Sequence, residues 1–294
     1  MTKIPEIIGD NIQIYEDALA NSNLKLFEDL EMAFNLMEDT GDTNFFSKYA
    51  AKALEARVAV YFEMWDTAVD AAEEVIDNGG YAIVPAENYV ASFESDGGSN
   101  IIFELEFNST DNLGGNSLGY IYRTTGGGSY GDVQVIDEVA DIFEDTDVRG
   151  LFDGTNGILG YEGDMLRNIG KYPDNQGYDN VPLLRYEELI LNYAEALLNT
   201  GGDALTQLNK IPANRGASLY AEATIENILM ERRKELMFEG FRFEDLVRTG
   251  NDIVKYSIQQ NFTETIPYGD SRLAWAIPLA EMDANSSMIQ NKGY

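Results

Sequence analysis

Residues 45–78 read FFSKYAAKALEARVAVYFEMWDTAVDAAEEVIDN, and the fold turns on how the small and apolar side chains of this stretch repeat. Tyr49, Ala53, Ala56 and Val60, then Ala68, Ala72 and Val75, recur every three or four residues, which places each set on one face of an α-helix. The break falls at Trp65-Asp66, where Asp66 is the expected N-cap, and Gly79-Gly80 supplies the stop. Two antiparallel helices follow. Alanines on the shared face let the backbones approach closely, in the manner of a tetratricopeptide (TPR) pair.

The helical pattern extends on both sides of this pair. Upstream, Leu26, Phe27, Leu30, Ala33, Phe34 and Met37 mark an amphipathic helix over Asn23 to Glu38. Downstream, helices are expected at Leu184 to Asn199, closed by Gly201-Gly202, at Asp203 to Ile211, and at Ile225 to Glu239 after Thr224 as N-cap. The tail from Trp275 to Tyr294 holds short turns around Pro278 and Asn285.

Between these blocks the character changes, with glycine clusters at Gly114-Gly115, Gly126-Gly127-Gly128 and Gly154 to Gly163. Ile101 to Phe107 reads as a short strand, Tyr120 to Arg123 as another, and Gln134 to Glu144 as a helix. Long loops in a compact domain usually carry function, so this segment is the first place to look for a site. The expected organisation is a single domain over 1–294. TPR-like helices occupy 23–80, a loop-rich ligand-binding segment 81–183 and a C-terminal helical scaffold 184–294. The fold class is all-α, a TPR-like superhelix around an insert with a few short strands.

Composition narrows the chemistry. The 294 residues are 44% hydrophobic, enough for a sizeable core. Acidic residues number 51 against 20 basic, a formal net charge of −31, so the average surface repels phosphate backbones and anionic lipid headgroups. Nucleic acid is not an expected partner, and neutral or weakly charged ligands fit better. Cysteine and histidine are both absent, which removes disulfides, thiol nucleophiles, imidazole bases and the usual zinc and iron sites. No run of eighteen apolar residues occurs, and Met1-Thr2-Lys3-Ile4-Pro5 does not open a signal peptide.

Two apparent motifs fail on their own chemistry. Gly126, Gly128 and Gly131 satisfy GxGxxG, but the preceding strand is short and polar and Asp132 would face the pyrophosphate. Asp145 to Gly150 imitates the start of a calcium loop, yet Arg149 stands at the fifth position and Asn156 replaces glutamate at the twelfth. A simpler structural calcium near Asp153 or Asn156 stays open; no other cofactor is expected. The alternating charges of Glu231 to Glu235 and Glu239 to Arg248 indicate a salt-bridged structural helix, with Glu244 and Arg248 at a favourable i,i+4 spacing.

Aromatic residues carry the functional reading, because Tyr and Trp faces hold sugar rings and flat peptides at small entropic cost. Trp65, at a helix corner, and Trp275, before Ala276-Ile277-Pro278, read as packing residues. Tyr120, Tyr122 and Tyr130 lie in the glycine-rich segment, where no apolar period calls for them. With Asn116 and Arg123 as hydrogen-bonding partners, they are the candidate ligand contacts.

Three C-terminal stretches are recognisable: RYEELILNYAEALLNTGGDALTQLNKI, ILMERRKELMFEGFRFEDLVRTG and AIPLAEMDANSSMIQNKGY. In order and spacing they resemble the characteristic blocks of the SusD/RagB family. AAKALEARVAVYFEMWDTAVDAAEEVIDNGGYAI resembles its central helix pair, NIIFELEF its strand and DIFEDTDVRGLF its F-x-x-D-x-R element. The resemblance implies a non-enzymatic protein on the extracellular face of the outer membrane, acting as a lid on a SusC-like TonB-dependent transporter. Its ligand would be a glycan or, in the RagB branch, a peptide. Attachment would run through a lipid anchor not present in this chain, since no residue here can be the lipidated cysteine. The quoted blocks are scaffold, and only the neighbourhood from Asn108 to Gly131 carries over as a binding region. A TPR-type protein adaptor is the reading outside this class.

Overall fold

The computed structural model describes residues 12–123, 130–174 and 176–294, with side chains from residue 23 onward. The chain divides into two compact units, one of Leu30–Gly240 and one of Met1–Asp29 with Phe241–Tyr294. A first helix, α1, spans Ile12–Leu36.

The larger unit is built on the alanine-rich pair read from the sequence. Helix α2 spans Lys48–Tyr61 and α3 spans Trp65–Asn78. Ala53, Ala56, Val60, Ala68, Ala72 and Val75 are all essentially fully buried, as their period requires. Ser47 caps α2 by accepting the Ala50 amide. Asp66 does not cap α3: the cap position is Met64, whose side chain makes no capping bond, and Asp66 lies in the first turn, where its charge still favours the helix dipole. Gly79 closes α3, and Gly80 takes a left-handed φ of 73° that only glycine adopts freely.

Three further helices complete the scaffold. These are α5 (Tyr186–Thr200), α6 (Ala204–Ala213) and α7 (Ile225–Glu235), and a short helix, α4 (Leu118–Tyr122), precedes them in the chain. Helix α5 is buried almost along its whole length and packs on α3, α6 and α7, so it forms the axis of the unit. Asp203 and Thr224 cap α6 and α7 through the amides of Thr206 and Asn227. Helix α7 ends four residues before the expected Glu239, because Leu236 to Gly240 turn out of the helix, with Phe238 in the left-handed region at φ 69°.

Strands are few and short. β1 (Ile101–Leu105) pairs antiparallel with β4 (Val181–Arg185), Ile101 opposite Arg185, and β2 (Leu159–Glu162) pairs with β3 (Met165–Asn168) as a hairpin. The helix expected over Gln134 to Glu144 is only a 3₁₀ segment, Asp137–Ile142, with Val135 buried beside Ile158, Leu159 and Leu166 in a second small core.

Charged residues of the first two C-terminal blocks converge inside this unit with partners from outside them. Arg149, Arg185, Arg215 and Lys171 are fully or almost fully buried with Asp147, Glu187, Glu231, Glu235 and Glu239 around them. Glu235 accepts from Arg215 Nε at 2.9 Å, from Arg149 Nη1 at 3.1 Å and from Arg185 Nη1 at 3.2 Å. Burial alone would raise its pKa, but Arg215, Arg185 and Arg149 outweigh burial and hold the carboxyl well below the ordinary range. The quoted blocks, with Lys171 and Arg215 from outside them, thus form a buried ionic lattice.

In the smaller unit, α8 (Arg242–Arg248) carries a bond from Arg248 to Asp245. The expected i,i+4 partner, Glu244, is solvent-exposed. A short helix, α9, spans Leu279–Ala284. Trp275, read as a packing residue, is 88% exposed. Its backbone explains this: the Trp275 carbonyl accepts Asn291 Nδ2 and the Ala274 carbonyl accepts the Tyr294 hydroxyl, both at 2.8 Å, so the main chain is clamped while the indole points to solvent.

Candidate functional site

The candidate aromatic residues lie in the larger unit, around a helix that the sequence did not announce. Leu118–Tyr122 form α4, where a strand was expected from Tyr120 to Arg123. Ser117 starts it by accepting the Tyr120 amide at 3.3 Å. Five residues are too few for a 3.6-residue period to be visible in a sequence, and the helical turn separates side chains that a strand reading would treat alike.

Tyr120 and Tyr130 come together. Their ring centroids are 4.9 Å apart at an interplanar angle of 78°, an edge-to-face pair, and the Tyr130 amide donates to the Tyr120 carbonyl at 3.0 Å. Tyr130 is 61% exposed and Tyr120 half-buried. Gly115 lies against both rings; a Cβ there would stand 3.5 Å from Tyr120 and 3.6 Å from Tyr130. Asn116 is exposed on the turn that leads into α4.

Tyr122 and Arg123 turn elsewhere. The Tyr122 ring is stacked near Tyr172 at 6.3 Å and tilted against Phe238 at 5.2 Å, and its hydroxyl donates to the Phe238 carbonyl at 3.3 Å. Burial, with Glu239 nearby, raises its pKa and keeps it neutral. Arg123 donates from Nη1 to the Pro173 carbonyl at 2.8 Å, and its Nε is buried without a hydrogen-bond partner. Both residues, read as ligand contacts from their sequence neighbourhood, here brace α4 against the stretch that begins at Tyr172.

That stretch is the part of the site that sequence reasoning missed. Tyr172 is 3% exposed and holds φ at 56°, an uncommon conformation for a bulky residue. The Asp174 amide donates to the Asp179 carboxylate at 2.6 Å. Burial, reinforced by the charges of Asp174 and Asp96, pushes the Asp179 carboxyl up to about 6. These residues line a small cavity behind α4 together with Ser117 and Gly119.

The remaining sequence motifs place as follows. Gly126 and Gly128 of the GxGxxG pattern lie outside the described residues, while Gly131 has a φ of 60°. Asp153 accepts the amides of Thr155 and Asn156 at 2.8 and 2.7 Å, which closes a local turn. Among the described residues no group of three carboxylates is placed to hold a metal ion, and no helix is long and apolar enough to cross a membrane.

Comparison with known proteins points one way. The SusD family profile matches residues 77–294. The starch-binding protein SusD of Bacteroides thetaiotaomicron is 29% identical over 153 residues, 48% of this chain and 26% of that protein. The SusD-like protein P38 of Formosa agariphila is 30% identical over 130 residues, 39% of this chain and 25% of that protein. A SusD superfamily crystal structure from Bacteroides vulgatus superposes with a TM-score of 0.78 at 31% identity, covering 91% of this chain and 64% of that one. The chain therefore spans less than two thirds of that solved structure, and its alignments span about a quarter of the curated relatives. With the family profile, the helical architecture and the superposition in agreement, the chain belongs to the SusD family.

Proposed function

We propose that this protein captures a neutral glycan without cutting it, on the extracellular face of the outer membrane, and passes it to a SusC-like TonB-dependent transporter. The observation that carries the reading is the edge-to-face pair of Tyr120, half-buried on the braced helix α4, and Tyr130, exposed to solvent beyond it. One exposed tyrosine face accepts the apolar face of a sugar ring, and the exposed Asn116 amide, next in sequence to the Gly115 that lies against both rings, offers hydrogen bonds to hydroxyls. Membership of a family whose relatives include a starch-binding protein supports the ligand class. The net charge of −31 favours uncharged sugars over anionic ones.

Stacking of this kind contributes about 1 kcal/mol per ring, so affinity falls on the order of micromolar to millimolar, which suits hand-over. A glycan array run beside a peptide mixture, with a reducing-sugar assay on the retained glycans, tests the proposal. Retention of neutral glycans with no sugar released is expected. Retention of peptides alone would move the protein to the peptide-binding branch, and release of reducing sugar would make it an enzyme.

A further inference from the structure

We infer that Gly119 is the positioning residue of the sugar platform: its missing side chain seats α4 directly on the carbonyl oxygens of Tyr172 and Asp174 and so fixes where Tyr120 meets Tyr130. The inference rests on the glycan-binding reading for its function, and on geometry alone for its structural part. A Cβ built at Gly119 would stand 2.4 Å from the Asp174 oxygen and 2.7 Å from the Tyr172 oxygen. Both neighbours are backbone, so the crowding cannot be relieved by turning a side chain; the helix or the Tyr172 stretch must move.

The surrounding contacts show why such a shift would reach the platform. Gly119 and Tyr122 are three residues apart on α4 and share one helical face, and Tyr122 lies along Tyr172 while Arg123 holds Pro173. Gly177, at φ 80°, comes as close on the other side, where a Cβ would meet Ser117 at 2.6 Å. Tyr120 stands one residue beyond Gly119, off this clamped face, and reaches Tyr130 through both its ring and its carbonyl. Lys171, just before the strained Tyr172, is buried and donates to the Glu235 carbonyl at 2.8 Å and to Glu239, so the backing stretch is anchored and α4 is the element that yields.

The test is Gly119→Ala against Gly216→Ala. The second variant crowds the Thr146 carbonyl at the same 2.4 Å in the same unit, with a left-handed φ of 70° adding strain, and it lies outside the platform. Two readouts separate positioning from general damage: hydrogen exchange of the Tyr130 amide, and retention on gels containing amylopectin, glucomannan, laminarin or xylan. Gly119→Ala is expected to speed Tyr130 exchange at least tenfold and to weaken retention at least tenfold. Gly216→Ala is expected to lower the melting temperature and change neither. Unchanged Tyr130 exchange in Gly119→Ala would overturn the inference whatever the gels show. Faster exchange with no retention of any of these glycans by the unsubstituted protein would instead sink the glycan reading and leave the positioning role standing.

Discussion

Arg185 holds Glu239 in a two-pronged ion pair, Nε to Oε2 and Nη2 to Oε1, both at 2.8 Å, with neither side chain open to solvent beyond a few per cent. Lys171 donates to the same carboxylate, so one glutamate satisfies two buried cations. Removing one member of a buried pair leaves an uncompensated charge, which costs about 3–5 kcal/mol. Glu239→Ala should therefore lower the unfolding free energy by about that amount in urea titration. A loss below about 1 kcal/mol would mean that water or rearrangement satisfies Arg185 and Lys171.

The same lattice sets the acid limit of the fold. Burial acts to raise the pKa values of Glu235 and Glu239, but their arginine and lysine partners outweigh it and both end below the ordinary 4.5. A carboxyl depressed in the folded state stabilises fully above its unfolded value, and that stability drains as pH falls through the folded value. With Asp179→Asn to remove that residue's opposing contribution, urea midpoints should hold steady from neutrality to about pH 5 and then drop steeply toward pH 3. A flat profile across that interval would contradict the assignment.

Asp179 should behave in the opposite sense. Burial and the neighbouring carboxylates raise its pKa to about 6, so the ionised form is disfavoured in the fold and stability is gained as pH falls from 7 through that value. Asp179→Asn keeps an oxygen for the Asp174 amide and removes the charge. Because the group is only partly buried, the expected gain at pH 7 is discounted to about 1 kcal/mol, vanishing near pH 4. Thermal melts of variant and parent at the two pH values measure it; a variant less stable at pH 7 would refute the argument.

Tyr122 and Tyr130 should separate by phenotype. Tyr122 packs on Tyr172 and Phe238 and donates to a backbone carbonyl, so Tyr122→Ala should cost about 3 kcal/mol of stability. Tyr130 is 61% exposed, and Tyr130→Ala should leave the melting temperature within a few degrees while weakening glycan retention about fivefold. Equal destabilisation by both would place Tyr130 in the core after all.

The helical frame was legible because its signals are local and repeated: the alanines of residues 53–72 recur every three or four residues, and the Thr224 cap and the glycine stops mark helix ends by residue type. The three closing blocks made the family recognisable for the same reason, being long and ordered. The ion pairing that reaches into those blocks was not legible, since Arg149, Arg185 and Arg215 reach Glu231 and Glu235 across 20 to 86 residues. The candidate site was legible as a neighbourhood and not as a set of contacts. Helix α4 is too short to show a period, so Tyr122 and Arg123 looked equivalent to Tyr120 although the turn directs them to Tyr172 and Pro173. Trp275 misled for a related reason: its main chain is held by Asn291 on its own carbonyl and by Tyr294 on the carbonyl of Ala274, bonds that no residue pattern records.

The most direct measurement is calorimetric titration of the unsubstituted protein and of a Tyr120→Ala, Tyr130→Ala double variant with the neutral glycan retained best on an array. Removal of both rings should weaken binding at least fivefold, the worth of one stacking face at about 1 kcal/mol, while circular dichroism shows the double variant still folded. Binding of equal strength in a folded double variant would show that the ligand is held elsewhere and would contradict the account.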